Sequence, residues 1–103
     1  KKTLTIAEAA QDSDVLNMGS LGILEAFVLS ILGPSALTGT VTIEVCDTAT
    51  GTFITLQSSG NDVTLAAAKA AVLSPMGFPY MRIHSSGAEA ADRAFVILAH
   101  STR

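Results

Sequence analysis

The amino-acid sequence predicts an all-β fold: one antiparallel β-sandwich or jelly-roll-like domain of about seven strands over residues 1–103. Segments rich in β-branched residues show the two-residue alternation of apolar and polar side chains that is typical of strands. Clusters of Gly, Pro, Ser, Asn and Asp interrupt these segments about every ten residues, as in known sandwiches. A chain of 103 residues also has the size of a single domain.

The clearest element is a β-hairpin over residues 39–57, GTVTIEVCDTATGTFITLQ. Its first half alternates buried-type residues, Val41, Ile43 and Val45, with more polar ones. Residues 47–51 contain the Asp and Gly that bend chains, and strand-forming residues follow them.

Two strands are expected before the hairpin. Residues 3–6 alternate and predict a short first strand. Residues 21–32, LGILEAFVLSIL, fit either a helix or a strand, but Gly and Pro on both sides and β-branched residues within favour a buried strand. This segment is too short to cross a bilayer as a helix, and residues 34–38 then form the crossing loop.

After the hairpin, residues 58–62 read as a loop and residues 63–65 as a short strand. The alanine-rich residues 66–73 predict either one short helix near 66–72 or a turn flanked by strands, because so short a helix is marginal unless it is packed. Residues 80–85 and 93–100 alternate again and predict the last two strands.

The amino-acid composition indicates which classes of partner to expect. Hydrophobic residues make up 49% of the chain and charged residues 15%, which suggests that a partner covers some apolar surface and favours a homo-oligomer, either a dimer or a trimer. The net charge is −3 and the six basic residues are scattered, which argues against nucleic-acid binding. We expect no membrane partner.

No motif for catalysis or cofactor binding is recognisable, so we expect neither an enzyme nor a cofactor. His84 and His100 lie near no nucleophile motif. Asp12 and Asp14 have the spacing of a calcium loop but lack its later oxygen ligands, and the single cysteine, Cys46, lies within a strand. The histidines and the cysteine also lack the spacing of a metal site.

Two arginines stand out because they lie in strands. Arg82 and Arg93 are expected to pair with carboxylates, and the candidate partners are Glu44, Asp47 and Asp92. Three alternatives stay open: solvated side chains of little energetic weight, structural ion pairs, or contacts to a neighbouring subunit.

Several stretches together carry a resemblance that covers roughly residues 37–97. They are LTGTVTIEV at 37–45, the Asp47 turn with GTF at 51–53, VTL at 63–65, FPYMRIHSS at 78–86 and ADRAF at 91–95. This pattern resembles small β-sandwich virion proteins of tailed bacteriophages, a group that includes capsid decoration (cement) proteins.

The resemblance implies a structural protein that is made in the host cytoplasm and sits on the capsid exterior. There it would bind the major capsid protein and clamp neighbouring subunits. Residues 1–18 would extend as an arm that adds a strand to a neighbour's sheet. The alternatives are a tail or head-tail connector component and a carbohydrate-binding module, although no Trp, one Tyr and four Phe leave little to stack on sugar rings.

Overall fold

A computed structural model describes residues 2–17, 27–58, 60–73 and 79–101. In these ranges all regular structure is β-strand, which confirms the predicted fold class. None of the described segments forms a helix with the length and hydropathy needed to cross a membrane. The eleven strands within these ranges, in chain order, are β1 (Lys2–Ile6), β2 (Leu16–Asn17), β3 (Phe27–Leu32), β4 (Val41–Cys46), β5 (Ile54–Thr55), β6 (Gln57–Ser58), β7 (Asn61–Asp62), β8 (Thr64–Leu65), β9 (Ala70–Leu73), β10 (Tyr80–Ser85) and β11 (Arg93–Ser101).

Two antiparallel sheets pack together as a sandwich. The four-stranded sheet has the order β1-β11-β3-β9, and the five-stranded sheet has the order β2-β10-β4-β5, with β8 also paired to β4. The strands β1 to β4 alternate between the two sheets along the chain, and the strands β8 to β11 alternate in the same way. This wrapping is the strand order of a jelly roll.

Aliphatic side chains fill the space between the sheets, because inward and outward residues alternate along every long strand. Val41, Ile43 and Val45 are buried on β4, and Met81 and Ile83 lie beside them on the neighbouring strand β10 of the same sheet. The remaining buried members of this core are Leu4, Ile6, Leu16, Ile31, Leu65, Phe95 and Ile97.

The hairpin predicted over residues 39–57 is present. Val45 pairs with Ile54 and Glu44 pairs with Thr55, so β4 and β5 run antiparallel on either side of the turn. The loop expected at 58–62 contains a further small hairpin, in which β6 pairs with β7 and Gly60 has a φ of 81°. A positive φ is accessible to glycine without steric cost, which suits this tight turn.

The strand interpretation of residues 21–32 holds for β3, and residues 21–26 lie outside the described part of the chain. The strand is central, because it pairs with both β11 and β9. It was expected to be buried, yet only one of its faces meets the core: Ile31 is fully buried, whereas Leu32 is 42% exposed.

The short helix considered near residues 66–72 is absent, and the alternative of a turn leading into a strand is observed. Ala68 has a φ of 57°, which no right-handed helix allows, and its N–H donates to the Pro34 carbonyl at 2.7 Å. Residues 70–73 then bond to β3. Sheet pairing therefore outweighs the modest helix propensity of alanine.

The N-terminal arm expected over residues 1–18 is not observed for residues 2–17, and Lys1 and Met18 lie outside the described ranges. Strand β1 pairs with β11 of the same chain, and Leu4 and Ile6 are buried in the core. Strand β2 pairs with β10. This segment therefore supplies two edge strands of the sandwich itself and does not extend away from it as an arm.

Candidate functional site

The outer face of the five-stranded sheet carries one group of ionisable side chains, which we call the polar cluster: Asp12, Glu44, Arg82 and His84. Alternation along β10 places Arg82 and His84 on the side away from the core, and the strand register sets Arg82 opposite Glu44. Asp12 reaches the same face because it forms an isolated bridge with His84. Three separate segments therefore meet at this point.

Short contacts link the members of the polar cluster. Arg82 Nε donates to Glu44 Oε1 at 2.7 Å, and His84 Nδ1 lies 2.6 Å from Asp12 Oδ1. Arg82 Nε is also 3.8 Å from Asp12 Oδ1, and His84 Nδ1 is 4.0 Å from Glu44 Oε2. Each basic group thus touches both carboxylates.

Arg82 has a second contact that fixes its position. Its guanidinium carbon lies 4.5 Å from the centroid of the Phe53 ring. Stacking of this kind suits the planar, weakly hydrated guanidinium and adds to the charge pair with Glu44. The Phe53 ring, half-buried beside the hairpin, therefore has one face covered by a cation.

The polar cluster contains the ligand types of a metal site. Oxygen or nitrogen atoms of Asp12, Glu44 and His84 all lie within 4.8 Å of one another, and these residues would hold a cation bound here. Arg82, however, already places a positive charge on both carboxylates. A metal ion would have to displace this guanidinium, so the arrangement fits an internally compensated ion-pair network better than a metal site.

A small cavity of about 210 Å³ lies near the hairpin turn and is lined by Val45, Cys46, Asp47, Thr52 and Ile54. Typical small-molecule sites enclose about 300–1,000 Å³ and bring several polar groups together. Here one carboxylate and one thiol face mainly apolar walls, so the cavity has little chemistry to offer a ligand.

The outer face of the four-stranded sheet is different in character, and we call it the apolar face. Its two central rows are Val96–Leu32–Ala70 and Leu98–Ser30–Val72, each row running across β11, β3 and β9. Leu98 is 38% exposed and Val72 66% exposed. The other described side chains of this face are Thr3, Thr5 and Ala94.

None of these described side chains on the apolar face is ionisable. No protein-family model, curated protein or solved structure matches the chain. Any functional proposal must therefore start from the structure itself. Its two outer sheet faces differ: one is apolar, and the other has ionisable side chains that are paired with one another.

A third feature, Glu89, is the one buried carboxylate among the described residues. Its side chain accepts hydrogen bonds from the N–H groups of Thr38 (2.8 Å) and Gly39 (3.0 Å), from the Ser85 hydroxyl (2.6 Å) and from Arg93 Nε (2.9 Å). Burial by itself raises the pKa of a carboxyl group, but these four bonds favour the charged form and lower the pKa of Glu89 from 4.5 to about 2.

Gly39 makes this arrangement possible. A Cβ atom added at Gly39 would lie 2.4 Å from Ser85 Oγ and 3.0 Å from Ser86 Oγ. The loop backbone therefore approaches Glu89 only because the residue has no side chain. Main-chain bonds of Glu89 to Ala9 and Ala10 join a further segment, so one residue ties four parts of the chain together.

The two arginines that were expected to form ion pairs differ in whether their observed partner was among the predicted ones. Arg82 meets Glu44, one of its three proposed partners, whereas Arg93 meets Glu89, which was not among them. Asp92 instead accepts the Glu8 N–H at 2.8 Å. Asp47 lies 3.6 Å from the Cys46 thiol, and neither arginine forms a described ion pair with it.

No local pattern in the sequence indicates that Glu89, Asp12 and Phe53 are the structural partners of the two arginines and of His84. The spacing of Glu89 and Arg93 was visible, but four residues bring side chains together on a helix, and this segment is a loop. Asp12 and His84 are separated by 72 residues, and only the fold brings them together. The side chain of His100 lies outside what the structure describes.

Proposed function

We propose that this protein is a structural component of a bacteriophage virion, a capsid decoration protein that binds the outer surface of the major capsid protein and stabilises contacts between its subunits. The observation that carries the proposal is the apolar face on a small jelly-roll sandwich. Exposed aliphatic rows without ionisable groups are costly on an isolated protein and are expected where an assembly covers them. Jelly rolls also occur in viral capsid proteins.

The rest of the described surface agrees with a structural role better than with a catalytic one. The polar cluster is paired within itself, and the buried Glu89 holds loops together. A sugar-binding role, by contrast, would use open aromatic rings. Phe53 is covered on one face by Arg82, and Phe95 is fully buried.

The test uses DNA-filled shells from which the decoration protein has been removed. Purified protein is added in increasing amounts, and quantitative mass spectrometry counts the bound copies per major capsid subunit. We expect saturable binding in a fixed ratio close to that of the capsid subunit, together with a higher temperature of DNA release. Shells without any protein and shells with an unrelated jelly-roll protein are the controls.

Other outcomes would assign the protein elsewhere. Absence of binding, and absence of the chain from native particles, would overturn the virion role. A native copy number far below that of the capsid subunit would point to the tail or to the head-tail connector.

A further inference from the structure

We infer that the exposed edge of β5, together with the cavity beside it, binds an extended segment of another protein that carries a lysine. The segment adds a strand to the five-stranded sheet and places its lysine side chain in the cavity. This inference goes beyond the proposed function, because that function rests on the apolar face of the other sheet.

Strand β5 is an edge of the five-stranded sheet. Among the described strands it pairs with β4 alone and is the last in the strand order. Ile54 is 61% exposed, although it lies directly opposite the buried Val45. An edge strand presents backbone N–H and C=O groups on its outer side, and extended peptides bind such edges by adding a strand.

The cavity next to this edge has the size of a pocket for one side chain. The buried Val45 and Cys46 form its floor, and the exposed Asp47, Thr52 and Ile54 form its rim. Its volume of about 210 Å³ is small for a free ligand, but a cavity of about 150 Å³ already holds a benzene molecule. In strand addition, backbone bonds give affinity and pockets of this kind select the side chain.

The charge at the rim indicates which side chain the cavity selects. Asp47 takes part in none of the ion pairs found among the described residues, and its carboxylate accepts only a long contact of 3.6 Å from the Cys46 thiol. The other walls are mainly apolar. Lysine matches this combination, because its four-carbon stem packs along apolar surface while its ammonium group remains at the rim beside a carboxylate.

The charge of the whole chain favours the same partner. The net charge is −3, which attracts a basic segment and repels an acidic one. An aliphatic side chain would fill the cavity equally well but would leave the Asp47 carboxylate without a cation. A lysine therefore uses both features of the site.

An NMR titration with short peptides tests the inference. The probe is the capped peptide Thr-Val-Lys-Val-Thr, whose β-branched residues favour an extended backbone. Added to the isotope-labelled protein up to about 5 mM, it should shift the amide signals of residues 45–47 and 52–55 saturably, with a Kd of about 1 mM. It should bind about three- to fivefold tighter than the same peptide with norleucine at its centre, which is the effect of one partly exposed ion pair.

Charge variants of Asp47 identify the residue that selects lysine. Asp47→Asn should bind the lysine and norleucine peptides equally, and Asp47→Lys should prefer a peptide with glutamate at its centre. Glu8→Lys is the matched control, because it makes the same change in charge at an exposed residue that does not line the cavity, and it should keep the preference for lysine. Circular dichroism melting curves check that each variant is folded, as expected for exposed positions.

Three results would overturn the inference: no shift at β5 at the highest peptide concentration, equal binding of the lysine and norleucine peptides by the wild-type protein, or a preference for lysine that survives Asp47→Asn. Shifts spread over other acidic residues would also overturn it, since they would mean attraction by net charge alone. Asp47→Lys should leave binding to shells unchanged, so the failure of this inference and the failure of the proposed function are distinguishable.

Discussion

Replacing Glu89 by glutamine should remove most of the acid sensitivity that this residue gives to the fold. The carboxylate has a pKa of about 2 in the folded protein against 4.5 as its ordinary value. A carboxyl group whose pKa is depressed by folding stabilises the folded state above the unfolded pKa, and this stabilisation is lost as the pH falls towards the folded pKa. The relevant window is therefore pH 4.5 to 2.

The magnitude follows from the same shift. A difference of about 2.5 pKa units corresponds to about 3 kcal/mol at pH 5 and above, and about 1 kcal/mol of this remains at pH 2.5. The Glu89 side chain has no exposed surface, so solvent screening reduces the figure little. At pH 7 the Glu89→Gln variant should lose about 3–5 kcal/mol, because Arg93 keeps its buried charge without a partner and the new amide faces backbone donors.

Urea denaturation between pH 2.5 and 7 measures this effect. Far-UV circular dichroism is the suitable probe because the chain has no Trp. The difference in unfolding free energy between wild type and Glu89→Gln should be largest above pH 5 and should shrink by about 2 kcal/mol at pH 2.5. Glu8→Gln, which removes an exposed carboxylate in a loop, is the matched control.

Two outcomes would refute the reasoning about Glu89. One is a Glu89→Gln protein within about 1 kcal/mol of wild type at pH 7, since a buried carboxylate with four donors is expected to contribute more. The other is a difference of equal size at pH 3 and pH 7, which would mean that the carboxylate charge is not what stabilises the fold.

Two further predictions concern the polar cluster and the turn before β9. Arg82→Gln should destabilise the fold by about 1 kcal/mol, because the pair with Glu44 is partly exposed, and a double-mutant cycle with Glu44→Gln should give a coupling energy that falls with added salt; a coupling energy near zero would contradict the pair. Ala68→Gly should raise the unfolding free energy by about 0.5–1 kcal/mol, because glycine relieves a φ of 57°. Ala67→Gly, in the same turn without a positive φ, should lower it, and equal thermal shifts for both variants would exclude the strain argument.

Local sequence was sufficient to predict a strand where turn residues mark both of its ends and one of its faces is exposed to solvent. Residues 80–85 were predicted with the bounds that β10 has in the structure, because alternation is strict and turn residues lie on both sides. The hairpin of β4 and β5 followed from the same two features. The ion pair of Arg82 with Glu44 was one named possibility because an arginine within a strand is expected to pair with a carboxylate.

Contacts between distant parts of the chain determine the features that the local sequence does not predict. Strand β9 is alanine-rich, and its structure depends on β3, from which it is separated by nearly forty residues. The burial of Leu4 and Ile6 depends on β11 at the other end of the chain. Glu89 has no local pattern of its own, since its donors come from the loop at 38–39 and from two strand ends.

The strand order of the two sheets has a consequence for how the protein folds as it is synthesised. In the four-stranded sheet β11 lies between β1 and β3, and in the five-stranded sheet β10 lies between β2 and β4. The strands made first therefore have no central neighbour until residues 80–101 have left the ribosome. Leu4 and Ile6 on β1 therefore lack their partner strand until β11 has been made, and closure of the sandwich requires contacts between distant parts of the chain. Folding should accordingly be slow, as expected for a topology dominated by non-local contacts.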